Sequence, residues 1–288
     1  MRFRLGQALG LQGGRCANIY STGAKAGEVC AAPLEEKGLH GMVCKVGGLV
    51  NRRHAQLLDL LAHLLTLAGY HVLTEQWEPR WDREVVDRDG NPVYATDEHG
   101  VVFRDEQGRP VRKKDRAKLD HRWEAPPEEP RGYGDVVVSH PNAQTWEREA
   151  AQRDGATAEA AARGKHERYP PGAVRPGKLR AFSVESYGRW GEEAERFLKH
   201  AAGRAAARTP GVQRLGGRGT SAVLGSWHAQ LSCVLQKANV AMLRGAMGDA
   251  RTWAEGELPA GAEEARVFES LEDLLAQATE LADLAARA

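Results

Sequence analysis

Two aspartates carry the clearest chemistry in this sequence. Asp120 lies in Ala117-Lys-Leu-Asp120-His121, and Asp135 opens the run Asp135-Val-Val-Val-Ser-His140-Pro141. Three valines after a glycine-rich lead and before a proline predict a short buried strand with Asp135 at its head. An ionisable group at the start of a core strand must sit in a cleft, be paired, or meet a metal. If the two segments are neighbouring strands, their carboxylates could share a magnesium or manganese ion, whose other ligands are water and phosphate oxygens. That combination suits phosphodiester hydrolysis, in which a metal activates water and neutralises the leaving oxygen. Lys165 offers a cation that can orient water or offset developing charge, and helical spacing puts Arg168 and Tyr169 on its side. Glu75 and Glu159 are further acids within reach of such a site. Spacing alone leaves other readings open. Asp135 could cap a turn, and Asp120 could pair with Arg122 or Lys118 at the surface.

A second constellation occupies the glycine-rich first fifty residues. Cys16, Cys30, His40 and Cys44 form a C-x13-C-x9-H-x3-C array. Three thiolates and an imidazole satisfy tetrahedral zinc, and His-x3-Cys fits a turn that presents two ligands to one ion. Such a segment has little apolar surface, so a structural zinc would supply what a core cannot. The Cys-x2-Cys knuckle is absent, and free thiols are the alternative. Cys233 falls within a helical pattern and reads as a small core residue.

The elements that must position these groups can be read in order. Residues 51–69 predict a helix capped by Asn51 and ended by Gly69. Its stripe of Leu57, Leu58, Leu61, Leu64, Leu65 and Ala68 predicts packing on a sheet. Arg52, Arg53 and His54 fall in its first turn, where they could meet a phosphate or simply face solvent. A strand follows at residues 70–75. Residues 82–112 hold a repeat, Val85-Val-Asp-Arg-Asp-Gly90-Asn-Pro-Val93 against Val101-Val-Phe-Arg-Asp-Glu-Gln-Gly108-Arg-Pro-Val111, which reads as consecutive hairpins inserted into the core. The basic run from Arg109 to Lys118, with Lys113 and Lys114, is a phosphate-contacting edge or a solvated loop. After the two acidic strands come a helix over 145–169 stopped by Pro170-Pro171, a strand over 179–186, and amphipathic helices over 191–207, 221–246 and 263–287. That order predicts an α/β core with a mixed sheet, flanking helices and a helical C-terminal region. The expected organisation is a cysteine/histidine segment over 1–50, a core over 51–200 and a helical region over 201–288.

Composition narrows the context. Forty Lys and Arg against 39 Asp and Glu leave a net charge of +1, so global charge dictates no polyanionic partner. No stretch approaches the ~18 apolar residues of a membrane span. Met1-Arg-Phe-Arg-Leu-Gly lacks the apolar centre of a secretory signal. Four cysteines in 288 residues do not make a disulfide scaffold. A nuclear or cytoplasmic protein, neither secreted nor membrane-bound, is expected.

Taken in order, these segments resemble a known family. Phe3-Arg-Leu-Gly, the C…C…H…C array ending Leu39-His40-Gly-Met-Val-Cys44, Arg52-Arg-His54 and Ala117-Lys-Leu-Asp120 come first. Asp135-Val-Val-Val-Ser-His140-Pro141, Lys165-His-Glu-Arg168-Tyr169 and Phe182-Ser-Val-Glu185-Ser-Tyr187-Gly188-Arg-Trp190-Gly191 follow. The series resembles the restriction-like endonuclease region of site-specific non-LTR retrotransposon reverse transcriptases, with its preceding zinc knuckle. The resemblance implies a PD-(D/E)xK-type nuclease core related to type II restriction enzymes and Holliday-junction resolvases. It assigns metal binding to Asp120 and Asp135 and water activation to Lys165, with Tyr169 accompanying. It also implies DNA as partner, with RNA of a parent element as a second. The sequence departs from the pattern at Leu119, where a proline often precedes the first aspartate, and at Val137, where a D-x-K motif has lysine. No polymerase region can be placed, so the chain resembles a detached, domesticated or decayed piece of such an element. A nucleic-acid-binding module that keeps the fold without cleavage is the alternative.

Overall fold

The computed structural model of the protein describes residues 14–124, 131–143, 145–170 and 179–248. In chain order these form α1 (Leu39–Val43), α2 (Leu49–Leu67), β1 (His71–Trp77), β2 (Arg83–Glu84), β3 (Lys114–Asp115), β4 (Lys118–Glu124), β5 (Gly132–Ser139), α3 (Glu147–Gln152), α4 (Ala156–Arg168), β6 (Leu179–Glu185), α5 (Glu192–Arg208) and α6 (Gly217–Ala246). Four strands make one mixed sheet in the order β1-β4-β5-β6. β4 runs antiparallel to both β1 and β5, whereas β5 and β6 are parallel across the α3–α4 connection. Mixed α/β architecture with flanking helices is thus as the sequence predicts. The lead-in at residues 3–6, the proline loop at 125–130 and the helix expected over 263–287 lie outside the described residues.

The leucine stripe of α2 explains its placement. Leu57, Leu61, Leu64 and Leu65 are buried against Trp123, Val136, Phe182 and Val184 of the sheet. The same core takes in Ala194, Ala201 and Ala205 of α5 and Trp227, Leu231 and Leu235 of α6, so α2, α5 and α6 share one apolar layer. Alanines on α5 let it approach closely, and the bulky side chains of α6 fill the space. Trp81, Leu119, Tyr133, Tyr169 and Leu179 form a smaller second core.

The strand through Asp135 begins earlier than its valines suggest. β5 starts at Gly132, so Asp135 is its fourth residue and not its head. Gly132 and Gly134 belong to the strand because neighbouring rings occupy the space of a side chain. A Cβ on Gly132 would enter the Trp123 ring, and one on Gly134 would lie 2.9 Å from Phe182 Cε2 and 3.0 Å from Trp123 Cζ3. Gly134→Ala is expected to destabilise the protein by about 1–3 kcal/mol through this overpacking. An unchanged denaturant midpoint would contradict it.

Three other expectations are corrected. α2 begins two residues before Asn51, with Gly48 at its N-cap, so Asn51 lies inside the first turn; Gly69, at φ 87°, does end the helix. The helix expected across 145–169 is two helices, broken where Gly155 takes φ 75°. Cys233 is exposed, because the core stripe Trp227–Leu231–Leu235 puts it on the solvent side of α6. In the insertion, three turns alternate where the sequence showed two. Asp87, Asp97 and Asp105 each accept the backbone N–H groups two and four residues on. The middle unit, Asp97-Glu-His-Gly100, lacks the Pro-Val that flags the other two.

Candidate functional site

The two aspartates meet where the sheet opens. Between β4 and β5 the ladder runs from Trp123↔Gly132 to His121↔Gly134, and the next residues are Asp120 and Asp135. There the Asp120 carboxylate replaces the ladder bond, its Oδ2 accepting the Val136 N–H at 2.6 Å. His54 of α2 shares its Nε2 between the same Oδ2, at 3.0 Å, and the Val136 carbonyl, at 3.2 Å. One turn further along α2, the Leu58 carbonyl contacts His121 Nε2 at 2.9 Å, anchoring the strand behind Asp120. From α4, Lys165 donates to Asp135 Oδ1 at 2.7 Å. The other oxygen, Asp135 Oδ2, is buried without a hydrogen-bond donor.

This geometry separates the two acids. Burial works against ionisation of Asp120, but the His54 hydrogen bond and charge outweigh it and hold the carboxyl below its usual range. Asp135 is pushed up to about 7, by burial first and by the Asp120 charge, against the pull of Lys165. Both belong to one titrating unit. His54 is raised, chiefly by its bond to Asp120. Tyr169 is pushed up to about 12 by burial and the neighbouring Asp135 charge, so its phenol stays protonated. A buried carboxyl with a raised pKa stabilises the fold while protonated, and that stability is lost as pH climbs through the raised value. Without magnesium or manganese, Asp135 is therefore expected to make the melting temperature fall from about pH 4 to about pH 7, its contribution being flat above that. Asp135→Asn should flatten that slope, and equal slopes in the two proteins would refute the assignment.

A hard divalent cation takes oxygen ligands. Two adjoining carboxylates, one carrying a buried oxygen that no donor reaches, form the kind of oxygen pair such an ion takes with water. Lys165, 28% exposed, keeps an open side toward solvent.

The remaining candidates lie in different surroundings. Glu75 sits in β1 with φ 54° and pairs with Lys118 at 2.8 Å, facing solvent. Glu159 accepts the Glu192 N–H at 2.6 Å and so caps α5. Arg168 is engaged by the Trp81 carbonyl and by Asp115, at 2.8 and 2.9 Å. Lys113 and Lys114 are exposed at the base of the inserted ribbon. Arg52 and Arg53 turn toward α6, away from the carboxylates. Of Arg52, Arg53 and His54, it is His54, in the second turn of α2, that reaches Asp120. Its role in orienting that carboxylate was not legible, because only the folded sheet reveals its partner.

The cysteine segment forms a separate centre. Cys16, Cys30, His40 and Cys44 bring one ligand atom each to within 4.8 Å of one another. The Cys16–Cys44 and Cys30–Cys44 sulfurs are 3.8 and 3.9 Å apart, and Cys30 Sγ is 3.4 Å from His40 Nε2. Tetrahedral zinc with bonds near 2.3 Å to sulfur and 2.05 Å to nitrogen sets such separations at about 3.8 and 3.5 Å. A disulfide would need about 2.05 Å. These four residues could therefore bind a zinc ion. Burial pushes the Cys16 thiol up to about 12, so a thiolate there needs a cation beside it.

Compared with protein-family models and with curated proteins, the chain matches none. Among the described residues, no helix is long and apolar enough to cross a membrane.

Proposed function

We propose that the protein is a divalent-metal-dependent DNA endonuclease, its mixed sheet a restriction-endonuclease-like core of the type carried by site-specific non-LTR retrotransposons. The observation that carries this reading is the Asp120–Asp135 pair at the opening of β4 and β5, with Lys165 on one acid and His54 on the other. Asp120 and Asp135 would hold magnesium or manganese, which when bound polarises the scissile phosphate and activates water. The protein's own residues prepare that chemistry. His54 and the Val136 N–H keep Asp120 ionised and fixed in orientation. Lys165 bonds Asp135 and, being partly exposed, can also orient a water or meet charge developing on a phosphate oxygen. Tyr169 remains a protonated phenol that packs behind Asp135.

The test is nicking of supercoiled plasmid by the purified protein, with and without magnesium or manganese. Omitting the ion is cleaner than adding chelator, which would also strip a zinc centre. Nicking that needs the added ion supports the proposal. Its absence, with salt-sensitive DNA binding retained, would replace it with the alternative of a binding module that has lost cleavage.

A further inference from the structure

Arg53 is a buried cation without an anion. Its side chain is 4% exposed. Nη1 donates to the Met42 carbonyl at 3.3 Å and to Asn239 Oδ1 at 3.0 Å, both neutral, and Nε has no acceptor. No carboxylate pairs with it among the described residues. Removing a guanidinium from water without a counter-charge costs several kcal/mol. Consistent with that cost, burial holds Arg53 down to about 10.

The surroundings of Arg53 add positive charge. It lines a cavity of about 280 Å³ between α2 and α6, together with Arg52 and Lys237. Neither of those two makes an ion pair among the described residues. Asp59 is the single acid in the lining, so three cations face one carboxylate. The first turns of α2 add the positive end of the helix dipole. Leu49 and Val234 supply an apolar wall. The volume lies just below the ~300 Å³ at which small-molecule sites begin, room for one phosphate group with part of its sugar. A second cavity shares Leu49 and Arg52 and continues past Asn18 and Gly47 of the cysteine segment. The site therefore opens into a groove, which suits a polymer better than a free ion.

We infer that the cleft between α2 and α6 is a phosphate-binding site that anchors a backbone phosphate of a nucleic-acid strand, with Arg53, Arg52 and Lys237 as its cationic groups. None of its lining residues belongs to the Asp120–Asp135 centre, so the phosphate held here is not the one cleaved. The phosphate chemistry stands on the cleft alone; the strand as its source rests on the nuclease reading.

The experiment compares the wild-type chain with Arg52→Gln/Lys237→Gln, whose two changes sit in exposed residues and spare the buried Arg53. Equilibrium binding of a labelled DNA duplex, without magnesium or manganese, is measured across a salt series, and melting is followed with and without inorganic phosphate. The expected result is a salt slope shallower by about 0.9 for each phosphate that is no longer neutralised, with phosphate raising the wild-type melting temperature more than the variant's. Phosphate protection that depends on the two residues, with an unchanged DNA slope, would overturn the strand as the source. If neither measurement moves, the site itself is overturned. Absent plasmid nicking beside a reduced slope would defeat the nuclease reading and leave this inference standing.

Discussion

Replacing Asp135 by asparagine is expected to leave supercoiled plasmid uncut while raising the melting temperature above that of the wild type at pH 8, if the proposed nuclease reading holds. Both results follow from one carboxyl. Its Oδ2 is buried without a donor beside the Asp120 carboxylate, and its pKa is held near 7. Asparagine keeps an oxygen for Lys165 to bond and puts an N–H₂ where the bare oxygen stood, so a clash of like charges becomes a hydrogen bond to Asp120. The fold gains, by about 2–4 °C for each kcal/mol in a protein of this size. The chemistry would lose an anionic ligand, and the nicking rate should fall ~10²–10³-fold, as when a preorganised electrostatic group is removed from an active site. Asp120→Asn should also stop nicking, but without the gain in stability, because its ionised form is the one that His54 and the Val136 N–H hold. Undiminished nicking by Asp135→Asn would remove the site assignment. Lost nicking together with lost stability would reduce Asp135 to a structural residue.

The parts of this arrangement that sequence made legible are those set by local pattern. The leucine stripe of α2 has a helical period and the valines of β5 form a short apolar run between turn residues, and both lie within the helix and the strand that those patterns predict. Boundaries were less legible where a distant partner decided them. Gly132 and Gly134 read as a loop before a strand, yet the Trp123 and Phe182 rings make glycine the residue that lets the strand pass. Asn51 has the side chain of a cap, but Gly48 allows α2 to start earlier. The same distinction runs through the candidate site. Asp120, Asp135 and Lys165 could be nominated from residue type and spacing. His54 was assigned to phosphate instead of Asp120, since nothing local shows that α2 crosses the mouth of β4 and β5. Likewise, Arg53 looked like any basic residue of a helix start until Met42 and Asn239, far from it in sequence, closed around it.

The cysteine segment makes the second large prediction, because its stability depends on little besides its ligands. Its buried apolar content is Leu34 and Met42, with the two cysteines Cys16 and Cys44, and Leu34 and the cysteines pack on Ala246 at the end of α6. Such a patch is too small to offset the backbone entropy of some thirty ordered residues. The purified protein is therefore expected to carry one zinc per chain by elemental analysis, and Cys44→Ser to lose it. The segment is tied to α6 through the Ala17 N–H to Ala246 carbonyl bond, at 2.8 Å, and through Gly41, where a Cβ would lie 3.1 Å from Leu243. Loss of the ion should consequently loosen the last turns of α6 as well. Apparent binding free energies of structural zinc run to about 10–16 kcal/mol, and forfeiting even a few kcal/mol of that lowers the melting temperature by on the order of 10 °C. Hydrogen exchange locates the effect. Amides of residues 14–48 and of 242–246 should lose protection in Cys44→Ser, while those of β5, buried at the centre of the sheet, should keep theirs. Full zinc occupancy in the variant, or unchanged exchange without zinc, would show that the four ligands sit together for packing alone.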